Sequence, residues 1–242
     1  MKAAPSDQRS ILEIARFDQQ STSLQHKAAI LPELADLVST NIKANNTRDL
    51  RIAAETELSD VKRELLRSEA DVEQVVLRIT RDETRLNAGS ATPKELEQLQ
   101  HEIGTLGIRR AELEEVELEI MMRVDAINDR ITTLRNEEAT HTSLITELEV
   151  RKENALAAIN NEVERIAQER DEKANSVEKA FVELYEKVRA ASGGNGAAAL
   201  VAGTCTGCNL SINTVELKRI SESPDDEVIR CEECRCILVR GF

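Results

Sequence analysis

The feature that most constrains this chain is an apolar residue at almost every seventh position through its middle, from residue 99 to residue 155. The positions are Leu99, Leu106, Leu113, Ile120, Ile127, Leu134, His141, Leu148 and Ala155, of which only the histidine is polar. A seven-residue repeat sustained this long predicts a coiled coil, because such positions share one face of a helix. Apolar residues continue at helical spacing as far as Val188, so we expect one helix that ends at the sequence SGGNG.

The first half of the chain carries a similar pattern from Gln8 to about Arg85. Two seven-residue series that differ in phase make up this pattern. The first consists of Phe17, Leu24, Leu31, Val38, Asn45 and Ile52, and the second of Leu58, Leu65, Val72, Ile79 and Leu86. The change of phase predicts a stutter in the coiled coil. Pro32 lacks an amide hydrogen, so we expect a kink or a restart of the helix near Leu31.

A helix stop and a helix start lie next to each other in the sequence NAGSATPKEL. Asn87, Gly89 and Ser90 are expected to end the first helix. Thr92 is expected to cap the second helix, with Pro93 at its first position. A short turn between two long helices makes them antiparallel neighbours.

The predicted fold class is therefore mainly α. We expect a long antiparallel helical hairpin, a coiled coil, over residues 1–192 with its turn at about residues 87–93. If the hairpin folds about residue 90, residue i lies beside roughly residue 180 − i. A glycine-rich joint over residues 193–196 then leads to a small C-terminal domain over residues 197–242.

All five cysteines lie in the last 38 residues of the chain. Cys205 and Cys208 form one C-x2-C pair, the first knuckle, and Cys231 and Cys234 form the second knuckle. This layout is typical of a tetrahedral thiolate site that binds one structural zinc ion. The tail is too small to fold on an apolar core alone, whereas zinc contributes about 10–16 kcal/mol in small finger peptides. We therefore predict a β zinc ribbon with four cysteine ligands, a C4-type ribbon.

Alternatives to this site remain open at the level of sequence. Disulfides, or thiols that are merely buried, are disfavoured by a reducing compartment. Iron in place of zinc would need aromatic shielding, which the tail lacks apart from Phe242. Cys236 is interpreted as an inward-facing strand residue, with an alternative ligand or a redox-sensitive thiol as the other possibilities. Short strands are expected over residues 197–203 and 236–241.

Composition and charge indicate in which compartment the protein functions and which classes of partner it does not bind. The net charge of −13 repels nucleic acids and anionic membranes at long range. The sequence MKAAPSDQRSILEI lacks the apolar run of a signal peptide, and no segment is apolar enough to span a membrane. We expect a cytoplasmic protein with neither a membrane partner nor a small-molecule substrate.

The sequence offers no set of residues that predicts catalysis. HEIGT at residues 101–105 approaches the H-E-x-x-H pattern of zinc proteases, but Thr105 stands where the second histidine is required. The carboxylates of AELEEVELE are interpreted as the solvent-facing side of the coiled coil. No nucleophile, base and oxyanion site come together, so we predict that the protein is not an enzyme.

The stretch TPKELEQLQHEIGTLGIRRAELEEVELEIM after the turn, with the terminal C-x2-C…C-x2-C-x2-I-L, resembles the bacterial coiled-coil zinc-ribbon family. The resemblance covers nearly the whole chain. It implies a helical hairpin that ends in a zinc ribbon, no known catalytic activity, and a regulatory or chaperone-like adaptor role with protein partners and in some cases RNA. The second knuckle of that family usually continues Gly-Arg-Ile-Leu, where this chain has Arg235 and Cys236 before Ile-Leu.

Two functions are compatible with these features. The first is an adaptor or regulatory protein that binds protein partners through its coiled coil and its zinc ribbon. The second is a ribbon that binds RNA or DNA. Candidate contact residues are the basic side chains of the tail, Lys218, Arg219, Arg230, Arg235 and Arg240. From Gly193 onward these five face seven acidic residues and no Trp or Tyr, so protein binding is favoured over phosphate contacts and base stacking.

Overall fold

The protein is described by a computed structural model over residues 1–89 and 92–241. Its helices are α1 (Pro5–Ala29), α2 (Pro32–Asn87), α3 (Pro93–Asn175), α4 (Lys179–Ala191) and α5 (Thr214–Glu222). Its strands are β1 (Ala197–Val201), β2 (Thr204–Cys205), β3 (Ile229–Arg230) and β4 (Ile237–Val239). The predicted class, a mainly α coiled-coil hairpin with a small C-terminal β region, is confirmed. Ser90, expected to help end the first helix, lies outside the described residues.

The chain divides into two compact units. The terminal unit comprises Met1–Ala35 and Glu149–Phe242, and the middle unit comprises Asp36–Leu148. None of the described helices combines the length and the low polarity that crossing a bilayer requires.

Local signals for helix ends are confirmed at two places. α1 ends at Ala29 and α2 begins at Pro32. Proline is tolerated at a helix start because the N–H groups of the first turn have no carbonyl acceptor within the helix. Thr92 precedes α3, and both its backbone N–H and its hydroxyl donate to Glu95 Oε2 at 2.7 Å. A glutamate that reaches back in this way satisfies an amide left free at the helix start.

The prediction of one continuous helix as far as Val188 is wrong. α3 ends at Asn175 and α4 begins at Lys179. At the break, the Ser176 N–H bonds to the Lys173 carbonyl at 3.1 Å, and the Ser176 hydroxyl donates to the same oxygen at 2.6 Å. A serine hydroxyl that bonds to a nearby carbonyl competes with the helical ladder, so the helix ends here despite its apolar periodicity.

In the middle unit α2 packs against α3, and we call this interface the seam. The side chains that α2 buries there are mostly small. They are Thr40, Thr47, Ala54, Val61, Ser68 and Asp82. The first predicted series is wrong at Val38 and Ile52, which are 63% and 46% exposed, although its earlier member Leu31 is buried. Small residues fill the seam on α2, so the larger aliphatic residues beside them gave a misleading pattern. On α3 the predicted positions Ile120, Ile127 and Leu134 are buried and confirmed.

The predicted register of the hairpin holds only near its turn. Arg78 pairs with Glu102, close to the expected partner position. Arg51, however, pairs with Glu138 at 2.7 Å from Nε to Oε2, rather than with a residue near 129. Glu64 likewise pairs with Arg123 at 2.9 Å rather than with a residue near 116, so the register is shifted away from the turn.

Helices and strands of the terminal unit share an apolar core. The fully buried side chains of this core include Ile11 and Ile14 of α1, Phe181 and Tyr185 of α4, and Ile237 of β4. Burial of large side chains is the main source of folding free energy, so helices and ribbon stabilise one another.

The segment predicted as a glycine-rich joint is exposed at Gly193 and Gly194, but its last residue packs against this core. Gly196 is buried, and a Cβ atom there would lie within 2.8 Å of the Tyr185 ring. Only glycine allows the backbone to approach the ring so closely.

A buried ionic cluster holds α1 against α3 and α4. Asp18, only 4% exposed, accepts a hydrogen bond from the Tyr185 hydroxyl at 2.6 Å. The same carboxylate pairs with Arg170 at 2.7 Å and with Arg189 at 3.3 Å. Arg170 also pairs with Glu186. The burial of Asp18 is offset by these donors, which satisfy both of its oxygens.

The ribbon sheet has the strand order β2-β1-β4-β3. β1 and β4 are parallel neighbours, and the two outer pairs are antiparallel. The first residues of the chain also bond to the ribbon: the Ala3 N–H donates to the Asp226 carbonyl at 2.8 Å, and the Val228 N–H donates to the Met1 carbonyl at 3.2 Å.

Candidate metal centre

The two knuckles share one backbone geometry. In the first, the Asn209 N–H bonds to the Cys205 carbonyl at 2.8 Å, and in the second the Arg235 N–H bonds to the Cys231 carbonyl at 2.9 Å. Both Asn209 and Arg235 have positive φ, 57° and 62°. Asparagine tolerates this left-handed conformation, whereas arginine adopts it at a cost of about 1–2 kcal/mol.

Close packing in the first knuckle requires glycine at position 207. A Cβ atom on Gly207 would lie 2.6 Å from Asn195 Nδ2 and 2.9 Å from Ala198 Cβ. The Gly207 carbonyl accepts a hydrogen bond from that Asn195 amide at 3.1 Å. The segment before β1 is thereby tied to the knuckle.

The structure brings together the four cysteines predicted as metal ligands. The Sγ atoms of Cys205, Cys208, Cys231 and Cys234 all lie within 4.8 Å of one another. The sulfurs of Cys205 and Cys234 are 3.8 Å apart, and those of Cys208 and Cys231 are 3.9 Å apart. Zinc bonded to four sulfurs at about 2.3 Å requires sulfur separations of about 3.8 Å, so the cluster fits one zinc ion.

Cys236 is a fifth thiol at the edge of this cluster. It is fully buried directly before β4, with its Sγ 3.1 Å from that of Cys234 and 3.8 Å from that of Cys205. Burial raises the pKa of the Cys236 thiol. Burial also opposes ionisation of Cys234, but hydrogen bonds from the Cys236 backbone and from neighbouring thiols outweigh it and lower the pKa of Cys234 to about 7. Cys236 therefore favours the thiolate form of Cys234.

An apolar shell surrounds the thiols. Ala198, Ile220, Ile229 and Leu238 pack around Cys205, Cys231 and Cys236 in one cluster. Ile220 belongs to α5, a helix that sequence analysis did not predict. The signal for α5 was present, because Asn213 accepts a hydrogen bond from the Glu216 N–H at 2.8 Å as an N-cap.

Two of the five basic residues predicted as contact residues are occupied within the ribbon. The Arg240 guanidinium donates to the carbonyls of Ile220 and Ser223 at 2.9 Å each, and it also reaches Pro224 and Glu227. Arg219 Nε donates to Glu216 at 2.7 Å. These side chains stabilise the ribbon around α5.

The other three basic residues are exposed. Lys218 lies 3.9 Å from Glu222, a loose pair between two exposed side chains. Among the described residues, neither Arg230 nor Arg235 forms an ion pair, and both line one cavity beside the second knuckle.

Comparisons with known proteins agree with this architecture. A family model for the CT398-like coiled coil hairpin domain matches residues 14–193, and one for the C4-type zinc ribbon domain matches residues 204–238. An uncharacterized protein of Mycobacterium tuberculosis H37Rv, Rv2229c, is 35% identical over 249 residues, covering 100% of this chain and 99% of that protein.

Two solved structures are similar over nearly their full length. One from Mycobacterium smegmatis has a TM-score of 0.85 at 31% identity, covering 99% of this chain and 100% of that one. CT398 from Chlamydia trachomatis has a TM-score of 0.66 at 17% identity, covering 98% of both chains, and shares the fold. This chain therefore belongs to the bacterial family of CT398-like coiled coil hairpin proteins that carry a C4-type zinc ribbon.

Proposed function

We propose that this protein is a non-catalytic, cytoplasmic zinc-binding adaptor that binds protein partners through its coiled coil and its zinc ribbon. The observation that carries this proposal is the apolar surface of the middle unit. Large aliphatic side chains that the seam does not use stand in solvent there, among them Val38, Ile42, Leu66, Leu77, Ile108, Leu118 and Met122. Val38 and Ile42, like Leu118 and Met122, are four residues apart on one helix and share a face, and exposed apolar patches of this kind favour contacts with other proteins.

The chemistry of the cysteine cluster supports a structural role for the metal. Four thiolates complete a tetrahedron, as in closed structural zinc sites, whereas catalytic zinc sites keep one position for water or substrate. Zinc bound by Cys205, Cys208, Cys231 and Cys234 would supply folding free energy to the ribbon.

Nucleic-acid binding by the ribbon is the second candidate function. The exposed side chains of Arg230 and Arg235 favour it, since unpaired guanidinium groups bind phosphate well. The acidic balance of the tail argues against it, because nucleic-acid affinity rests on several phosphate contacts.

Crosslinking in cells followed by mass spectrometry tests the proposal. The expected result is a reproducible set of protein crosslinks, and partners that copurify after nuclease treatment. The variant C205S/C208S is the control, since it removes the metal and with it the crosslinks of the ribbon but not those of the middle unit.

Titration of zinc-loaded protein with random RNA and DNA at physiological salt separates the two candidate functions. We expect weak binding. Micromolar or tighter affinity that falls steeply with added salt would establish the nucleic-acid function instead.

A further inference from the structure

A cavity with a positively charged rim lies beside the second knuckle. Its volume is about 320 Å³. Leu184, Val188 and Ala191 of α4 contribute apolar lining, while Lys187, Arg230 and Arg235 contribute three cations; we call this the cationic cavity. α4 and the second knuckle thus bring together cations that are far apart in the sequence.

The three cations form no ion pairs with other described residues of the protein. In the part of the chain that the structure describes, no carboxylate lies within ion-pair distance of Lys187, Arg230 or Arg235. Arg189 and Arg219, by contrast, are both paired. Glu233 and the metal ligand Cys234 also line the cavity, so three cations face one carboxylate and one thiolate in a chain whose net charge is −13.

Arg235 occupies a backbone position that favours glycine. Its φ is 62°, in the left-handed region, and its N–H is fixed by the bond to the Cys231 carbonyl. A residue held in a disfavoured conformation by its surroundings is a reason to look for a function of its side chain. Here the side chain lines the cationic cavity.

We propose that the cationic cavity binds an acidic segment of a protein partner, with an aliphatic side chain against Leu184, Val188 and Ala191 and carboxylates on the three cations. The inference rests on the proposed function and names the chemistry of one partner segment. Charge complementarity selects the carboxylates, and the apolar lining selects the aliphatic side chain. No aromatic side chain lines the cavity among the described residues, so base stacking has no platform there, and a peptide fits better than RNA.

Selection from a random peptide-display library on the zinc-loaded full-length protein tests the inference. The expected peptides combine Asp or Glu with Leu, Ile or Val. The variant K187A/R230A/R235A should lose this enrichment and bind the best selected peptide about tenfold more weakly or worse by fluorescence anisotropy. A matched variant, K43A/K62A/K94A, removes the same charge from residues that do not line the cavity and should bind the peptide as the wild type does.

Elemental analysis of the same samples separates ligand binding from support of the metal. One zinc per chain is expected in all variants. The variant R235G supplies a second test, because glycine suits the left-handed conformation and should preserve the fold while weakening peptide binding.

Several results would overturn the inference. They are selected peptides without acidic residues, equal binding by both triple variants, loss of zinc from K187A/R230A/R235A, and RNA that binds more tightly than the peptide through the same three cations. If crosslinking in cells recovers the same partners with K187A/R230A/R235A, this inference fails while the proposed function stands.

Discussion

The terminal unit and the middle unit bury different kinds of side chain. In the terminal unit Phe181, Tyr185, Ile11 and Ile14 have no exposed surface, and they come from helices that pack with the ribbon strands. The middle unit buries residues such as Ala54 and leaves many of its largest aliphatic side chains in solvent. Core volume, and with it folding free energy, is therefore concentrated in the terminal unit.

The ion pairs of the two units differ in the same direction. The carboxylate of Asp18 in the terminal unit is 5% exposed, whereas the pair of Arg123 and Glu64 in the middle unit is about half exposed on both sides. Buried pairs cost much to break, while exposed pairs contribute little and weaken with salt. We therefore expect a single substitution or the loss of zinc to destabilise the whole terminal unit. A substitution in the middle unit should lower stability only slightly and near its own site.

Removal of zinc should have the largest effect and tests the cooperativity of the terminal unit. Chelation is expected to abolish amide protection in the ribbon and to reduce it in α1 and α4, because these elements share one core. Protection in the middle unit should persist. Hydrogen exchange with and without a chelator measures this. Unchanged protection of α1 in metal-free protein would show that the helices do not depend on the ribbon.

Core truncation compares the two units directly. Phe181→Ala should lower the free energy of unfolding of the terminal unit by about 3–5 kcal/mol, and Ile127→Ala should cost the middle unit about 2 kcal/mol. Denaturant titration followed by hydrogen exchange assigns each loss to its unit. Leu66→Ala, at an exposed position, is the control and should change neither value. Equal losses at positions 181 and 127 would contradict the contrast between the cores.

Breaking the buried ionic cluster comes next. Asp18→Ala leaves Arg170 and Arg189 without their buried partner and should cost about 3 kcal/mol. The loss should change little with salt, because the group is shielded from solvent. Thermal unfolding at low and high salt provides the measurement, and a loss that disappears in high salt would place the cluster at the surface.

The Tyr185 hydroxyl allows a test by pH. Burial, with the nearby Asp18 carboxylate, raises the pKa of Tyr185 above its usual value of about 10. The phenol ionises in the unfolded chain before it does in the folded one, so its contribution to stability is complete below pH 10 and is lost as pH rises further. Tyr185→Phe should cost about 1.5 kcal/mol at neutral pH. The stability curves of the variant and the wild type should converge above pH 10, and parallel curves would be evidence against the raised pKa.

The smallest effect is expected for the ion pair between Arg51 of α2 and Glu138 of α3. Arg51→Ala should lower the melting temperature of the middle unit by about 1 °C at low salt and by less at high salt, because this pair is only partly buried and salt still screens it. A double-mutant cycle with Glu138→Ala isolates the pair. A salt-independent coupling would show that this pair behaves like the buried cluster.

The parts of the fold that sequence predicted correctly depend on short-range rules. The two cysteines of each knuckle have two residues between them, and a tetrahedral metal imposes that spacing directly. The buried series on α3 was visible because it uses large aliphatic residues such as Ile120 and Ile127. The helix start at Pro93 followed from its neighbours Thr92 and Glu95.

The parts of the fold that sequence did not predict depend on which faces of the helices and strands pack against one another. Thr40 and Thr47 carry no apolar signal, yet they are buried because the seam admits small side chains. The core shared by Ile11 and Ile237 joins residues from opposite ends of the sequence. Nothing in the sequence around either residue indicates that the two pack in the same core. The cavity with Lys187 likewise exists only because α4 packs beside the second knuckle.

The bonds between the first residues and the ribbon bear on how the chain emerges from the ribosome. Gln8 Nε2 donates to the Asp225 carbonyl, a residue 217 positions later. At roughly 5–20 residues per second, α1 waits about 10–40 s for that acceptor to be synthesised. During this interval Ile11 and Ile14 have no ribbon to cover them, so the nascent chain offers an apolar helix to chaperones until its last strand is made.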